Sequence, residues 1–316
     1  ITKILLLTLI TLTSVYSQEG KCNVLTLNGG GDHGAYQVGA LKGLVNNLSP
    51  EERKWEVVTG ISIGSFDGLL FSIFEIGEEQ KAVEYLESIW RSFQGKESFY
   101  LSWKNTKNGL YDLTPAKEII RKSLSNNQLK RDFYAGAVNL RTGEYEKFRC
   151  KDYEGEDLVD IIFASCAVPG TFPAVEIKGE HYGDGGIIHM VDIANGVKDC
   201  QNKGFKDEDI VVDQIQCYDR NIEIQEIADL NPYEIRNRAE NIKNLYFFQK
   251  ERKQLATAFP KVQFRYNIFH SEKIGIGNEF LVFDKEETKR MLAIGEKDAI
   301  DAITNRQKKD DFLTSN

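Results

Sequence analysis

Gly60-Ile61-Ser62-Ile63-Gly64 is the segment of this chain best equipped for covalent chemistry. A serine between two glycines, after a β-rich run and before an apolar helix, has the form of a tight strand-to-helix turn that exposes the hydroxyl. The helix begun there sets its N-terminal dipole under the same oxygen. A serine hydroxyl attacks only when a base takes its proton, and candidate bases follow downstream. Asp184 stands in Asp184-Gly185-Gly186 at the end of a hairpin pattern. His270 comes later, so Ser62, Asp184 and His270 obey the chain order of an α/β-hydrolase triad. Each motif alone also has a plain reading: GxSxG as a structural turn, DGG as a bend, His270 as an exposed strand-end residue.

A glycine loop, Asn28-Gly29-Gly30-Gly31-Asp32-His33-Gly34, lies upstream between a strand and a helix. Backbone amides at a helix N-terminus can cradle a phosphate or stabilise an oxyanion. No Gly-Lys-Ser/Thr closes the loop, so it is not a P-loop. The dinucleotide pattern G-x-G-x-x-G is met, but Glu51 and Glu52 fall in a turn before the second strand, where no ribose contact can form. Oxyanion use fits better. His181 and His189 flank the DGG box as polar neighbours; HExxH spacing is absent, and the HxE at His270-Ser271-Glu272 has no CxxC to complete a zinc site, so no metal is expected.

These residues need a scaffold, and the apolar pattern supplies one. Residues 22–27 read as a buried first strand and 35–45 as a helix, with Gly39 and Gly43 on one face where a neighbour could approach closely. A second strand over 57–61 leads into a helix through Phe74, and 78–93 form an amphipathic helix. Thr114-Pro115 reads as an N-cap and first-turn proline for a helix to about Leu124. Hairpins are expected at 133–149 and 174–182, the second delivering Asp184, with a helix over 157–164 between them. A strand over 210–216, a long helix over 232–258, an alternating strand over 262–269 and a helix over 286–302 complete the chain. The reading is one α/β domain with a mostly parallel central sheet.

Composition sets the remaining bounds. The chain has 316 residues, 41% hydrophobic and 28% charged, which is a globular composition with enough length for a sizeable core. Forty Lys+Arg against 48 Asp+Glu give −8, which excludes the basic field of a nucleic-acid binder. Residues 4–12 are an apolar run after Lys3, ended by Thr13-Ser14-Val15-Tyr16-Ser17. That is the layout of a secretory signal peptide cut after Ser17, so a secreted chain over 18–316 is expected. Cys22, Cys150, Cys166, Cys200 and Cys217 lack CxxC spacing; in an oxidising compartment they allow two disulfides with one left over. Asn47-Leu48-Ser49 is a glycosylation sequon followed by Pro50.

The trio of glycine loop, GxSxG and DGG, in that order over residues 24–213, resembles the patatin-like phospholipase family. Gly29 to Gly39 resembles its oxyanion loop, Gly60 to Ser65 its nucleophile elbow, Ala164 to Pro173 the segment preceding its catalytic Asp, and Tyr182 to Gly186 its DGG box. The resemblance implies a three-layer α/β/α patatin-like fold, with a motif-bearing core over about 22–213 and a C-terminal strand and helix extension. It implies a Ser62–Asp184 dyad, oxyanion donors from Gly29, Gly30, Gly31 and Asp32, and support from Gly34, Gly60, Gly64, Gly185 and Gly186. Two positions depart: His33 stands where the family has Arg or Lys, and Asn28 where it has Asp. His33 is thus a possible auxiliary group. The implied reaction is acyl-ester hydrolysis of a lipid at a membrane or micelle interface, without metal or cofactor; no protein partner is inferable. A carboxylate base suits an alkoxide leaving group better than an amine. Residues 71–76 and 98–103 have two readings, as the lining or cover of an apolar channel or as plain core, and the acidic balance implies local, hydrophobic contact with lipid. Two other classes stay open: a triad esterase or peptidase of another fold, and a secreted storage or lipid-binding protein with weak activity.

Overall fold

In a computed structural model, the structure describes residues 20–102, 109–276 apart from 219, 221–223, 225 and 229, and 281–305. Residues 1–17, where a signal peptide is expected, lie outside the described residues. The chain runs β1 (Cys22–Leu27), α1 (Gly34–Asn47), β2 (Trp55–Ile61), α2 (Ile63–Ser72) and α3 (Glu79–Ser92). The short ladder of β3 (Leu101–Ser102) and β4 (Tyr111–Asp112) precedes α4 (Thr114–Leu124). Next come the hairpin β5 (Asp132–Asn139) and β6 (Tyr145–Arg149), α5 (Gly155–Ser165), and the hairpin β7 (Val175–Ile177) and β8 (Glu180–Asp184). The chain continues through α6 (Ile193–Asn202), β9 (Ile210–Ile215), α7 (Pro232–Ala258), β10 (Gln263–Ile268) and α8 (Lys285–Thr304).

The sheet has the order β10-β9-β1-β2-β5-β8-β7, with β6 also on β5. The four pairs from β10 to β5 are parallel, and β5 pairs antiparallel with β6 and β8. All six residues of β1 and of β9 are buried, as strands covered on both faces must be. One face carries the larger core, where α1, α2, α3, α5 and α8 cover Leu25, Leu27, Val58, Phe133 and Ala135. On the other face Ile193 and Val197 of α6 meet Val24, Val57 and Val212, with Leu255 and Ala256 of α7 alongside. The Cys22–Cys200 disulfide ties β1 to α6 on that face.

The expected close approach at α1 occurs, and its partner is α8. A Cβ on Gly39 would lie 2.1 Å from the Leu292 carbonyl oxygen, so only glycine lets the two backbones meet there. β10 and α8 therefore belong to the same sheet and helical layer as the motif-bearing segment.

One expectation needs correction, and two open points are decided. Thr114 is inside α4, and the Asp112 carboxylate accepts both its amide at 2.7 Å and its hydroxyl, doing the capping work from two residues earlier. One disulfide forms instead of two: Cys150, Cys166 and Cys217 are buried in separate surroundings and stay thiols. Of the two readings of 71–76 and 98–103, channel or core, the structure favours core. Phe71 and Ile73 are buried, and Phe99 stacks on Phe283 at 4.4 Å while Tyr100 packs edge-on to Phe172. Of the large apolar side chains described there, Ile76 and Leu101 are exposed, and residue 103 lies outside the described residues. Aromatic burial outweighed the channel reading because these rings are complementary to one another.

Candidate active site

The register of β5 brings the two motifs together. β2 runs parallel to β5 and ends with Ile61 opposite Gly136. β8 runs antiparallel to β5 and ends with Asp184 opposite Ala137. Since β6 pairs with both Ala137 and Val138 on the other edge, β2 and β8 share one edge of β5 and point at each other. Their C-terminal ends meet there, and the next residue after Ile61 is Ser62. A mixed sheet is thus the device that sets nucleophile against carboxylate.

Ser62 has φ 54° and ψ −126°, in the left-handed region that costs a non-glycine residue of order 1–3 kcal/mol. The flanking glycines make the turn possible. A Cβ on Gly60 would lie 2.2 Å from the Gly64 carbonyl oxygen, and one on Gly64 would lie 2.3 Å from that of Leu27. The turn is also held from outside. Ser62 N–H donates to Ser165 Oγ at 3.0 Å, and the Ser62 carbonyl accepts from Ser65 N–H, the Ser65 hydroxyl and the Cys166 thiol. One residue further, the Ala167 carbonyl accepts the Asp184 N–H at 2.9 Å. The C-terminal end of α5 and the two residues after it therefore grip both reacting residues from consecutive positions. Sequence reasoning missed Ser165, Cys166 and Ala167 as positioning residues; the resemblance marked their segment only as what precedes the Asp.

Asp184 is buried, 4% exposed, and its Oδ1 accepts Gly186 N–H at 2.7 Å. Its Oδ2 makes no formed hydrogen bond, which leaves that oxygen available to a proton. Burial pushes the carboxyl pKa up to about 6, and the nearby Ser62 hydroxyl and the Gly186 amide oppose the rise. Gly185 and Gly186 crowd the same place: a Cβ on Gly185 would lie 2.4 Å from the Gly136 carbonyl oxygen, and one on Gly186 would lie 2.5 Å from Met190 Sδ.

The glycine loop lies over this pair, since a Cβ on Gly29 would sit 3.2 Å from Ser62 Cβ. The Gly29 amide is already committed to the Met190 carbonyl at 3.3 Å, which removes it from the expected oxyanion donors. Among the described residues, no acceptor takes the amides of Gly30, Gly31 or Asp32. Gly34 N–H closes the short turn Gly31–His33 onto the carbonyls of Gly31 and Asp32, and its α-carbon abuts Trp90. Asp32 Oδ2 accepts Val282 N–H at 3.0 Å, so its carboxylate anchors the loop.

The two departures have local explanations. Asn28 sits in a buried amide network: it donates to Gln216 Oε1, accepts from Gln214 Nε2, and its carbonyl accepts from Gln37 Nε2. An Asp there could not donate to Gln216. His33 Nδ1 lies 2.8 Å from the Cys217 carbonyl, which can only accept, so Nδ1 carries the proton and the ring braces the loop. The other histidines are placed elsewhere. His189 pairs with Glu251 at 2.5 Å, and His181 faces Glu176 across the β7–β8 ladder. His270 follows β10, separated from β2 by β9 and β1, and packs on Tyr36.

A family model described as patatin-like phospholipase matches residues 25–195, more than half of the chain. The uncharacterized protein R571 of Acanthamoeba polyphaga mimivirus is 26% identical over 179 residues, which cover 53% of this chain and 59% of that protein. The chain thus spans about three-fifths of the length of this relative. VipD from Legionella pneumophila aligns in structure with a TM-score of 0.43 at 14% identity, over 92% of this chain and 68% of its own. The matched segment begins in β1, contains the loop, elbow and DGG box whose meeting the sheet register explains, and ends in α6: the chain belongs to the patatin-like phospholipase family.

Proposed function

We propose that this protein is a lipid acyl hydrolase that cleaves carboxylic esters of phospholipids or related acyl lipids through an acyl-Ser62 intermediate. The observation that carries the reading is the meeting of β2 and β8 on β5, which sets a strained serine against a buried carboxylate with an uncommitted oxygen. Asp184 accepts the Ser62 proton as Oγ attacks the ester carbonyl, and the amides of Gly30, Gly31 and Asp32 receive the developing oxyanion. The proton then passes to the departing alkoxide. Water, deprotonated by the same carboxylate, adds to the acyl carbonyl and releases the fatty acid, returning Ser62 to its starting state. No histidine takes part in this sequence.

The substrate class comes from the family, and the ester preference from the chemistry of a carboxylate base. Export through the segment 1–17 is part of the proposal; the Cys22–Cys200 disulfide is consistent with an oxidising compartment. Incubation of the purified protein with a panel of phospholipids and neutral acyl lipids, with Ser62→Ala as the blank, tests the reading. Fatty acid should be released from at least one lipid class and fall to background in the variant. Release that persists in Ser62→Ala, or no release from any ester, contradicts it.

A further inference from the structure

We infer that the outward face of α7 is a docking surface for an anionic lipid bilayer, which rests on the lipid reading of the site and names the surface that presents its substrate. In a chain of net charge −8, α7 carries six basic side chains and three acidic ones. Helical spacing sorts them. Leu245, Phe248, Glu251 and Arg252 are buried against the body. On the opposite side Ile235, Arg236, Lys243, Tyr246, Lys250 and Lys253 line one stripe, with Phe247 at its edge. Tyr246 is 69% exposed, Ile235 45% and Phe247 44%.

Apolar side chains on both faces of one helix are unusual for a helix with water on one side. Here the outer ones are interleaved with cations, the composition of a helix that lies in a bilayer interface. Glu240 pairs with Lys243 at the stripe's margin. Lys250, Lys253 and Arg236 have no carboxylate partner among the described residues, so their charge is available to phosphate and carboxylate headgroups. A shallow groove of about 720 Å³ runs along this face from Tyr246 to Ala258, with Lys250 and Lys253 on its walls. Among the described residues no helix is long and apolar enough to cross a membrane, so contact by α7 is at the surface.

The inner face couples α7 to the site. Glu251 holds His189, five positions after Asp184, and Phe248 packs on Tyr218 at 4.3 Å beside the Cys217 that supports the glycine loop. A bilayer seated on the outer face would thus be separated from these contacts by the thickness of one helix, about 10–12 Å. The acidic balance of the whole chain opposes anionic membranes at long range, and the α7 stripe supplies attraction within a Debye length, about 8–10 Å.

Co-sedimentation of Ser62→Ala protein with vesicles of phosphatidylcholine alone, or with added phosphatidylserine, separates docking from hydrolysis. Binding is expected to the serine-lipid vesicles, to weaken as salt rises, and to fall roughly 30-fold in Lys250→Gln/Lys253→Gln, about five-fold per lysine. Tyr246→Ser/Phe247→Ser should weaken binding at every salt concentration. Equal binding to both vesicle types, or full binding by the lysine variant, overturns the inference. So does a change of oligomeric state in the aromatic variant with vesicle binding intact, which would assign the face to a second copy of the chain. Hydrolysis of a dispersed short-chain ester by Ser62-intact protein is the separate control: it should be unchanged by Lys250→Gln/Lys253→Gln. If the parent hydrolyses no ester while still binding anionic vesicles, the catalytic reading fails and the docking surface stands.

Discussion

Replacing Asp184 by Asn should stop turnover and make the folded protein more stable at neutral pH. Burial holds the Asp184 carboxyl at about 6, against an ordinary value of 3.8. A rise of about two units corresponds to about 3 kcal/mol of preference for the protonated form in the folded state. The folded protein therefore binds a proton more tightly than the unfolded chain between about pH 4 and 6. The stability this confers is complete below pH 4 and is lost as pH rises through 6. At pH 7.5 the buried carboxylate costs the fold about 3 kcal/mol, which the surrounding core offsets. Asn keeps an acceptor for Gly186 N–H and never ionises, so it removes that cost. At roughly 2 °C per kcal/mol for a chain of this length, Tm of Asp184→Asn should exceed the parent's by about 6 °C at pH 7.5. Thermal unfolding of both proteins from pH 4 to pH 8 reads the difference, which should close toward pH 4. An Asn variant equal to or below the parent at pH 7.5, or a gap that ignores pH, would refute the reasoning.

Because Asp184 must be ionised to take a proton, ester hydrolysis should rise with pH through a limb near 6 and level off above it; an initial-rate profile from pH 4.5 to 8 measures this. Ser165→Ala removes the acceptor of Ser62 N–H and should lower kcat about ten-fold with KM little changed, while Ser165→Thr restores much of the loss; steady-state kinetics of the two variants decide it. Gly30→Ala would drive a methyl to 2.2 Å from Cys217 Cβ, displacing the loop, so oxyanion stabilisation should fall by about 10²–10³ in kcat, read in the same assay. His270→Ala should stay within a few-fold of the parent, since it follows the edge strand β10, with β9 and β1 between that strand and β2, and its ring packs on Tyr36.

The strong periodic segments were legible in sequence. β1, α1, β2 and the two hairpins carry their own local signals, the Arg141-Thr142-Gly143 turn among them, and the structure places them within a few residues of expectation. The elbow at Ser62 and the DGG box were legible for the same reason: tight turns need glycine at fixed offsets. What lay out of reach depends on long-range pairing. That β8 would turn back and meet β2 head-on follows from register on β5, which no spacing in the chain encodes. Ser165 reaches Ser62 across 103 positions, and its hydroxyl looks like any other near a helix end until the two are packed together. The Gly29 amide illustrates the same limit: its loss to Met190 is decided by a loop 161 positions away. Residues 71–76 and 98–103 kept two readings because an apolar aromatic run looks alike whether it lines a channel or fills a core, and Phe283, distant in sequence, decided which.

The covalent adduct left by a fluorophosphonate probe tests the central claim most directly. Peptide mapping of the treated protein should find a single modification, on the Ser62 hydroxyl, and Ser62→Ala should remain unlabelled while folded. An adduct on any other residue, or labelling of the alanine variant equal to the parent's, would contradict the assignment of Ser62 as the nucleophile.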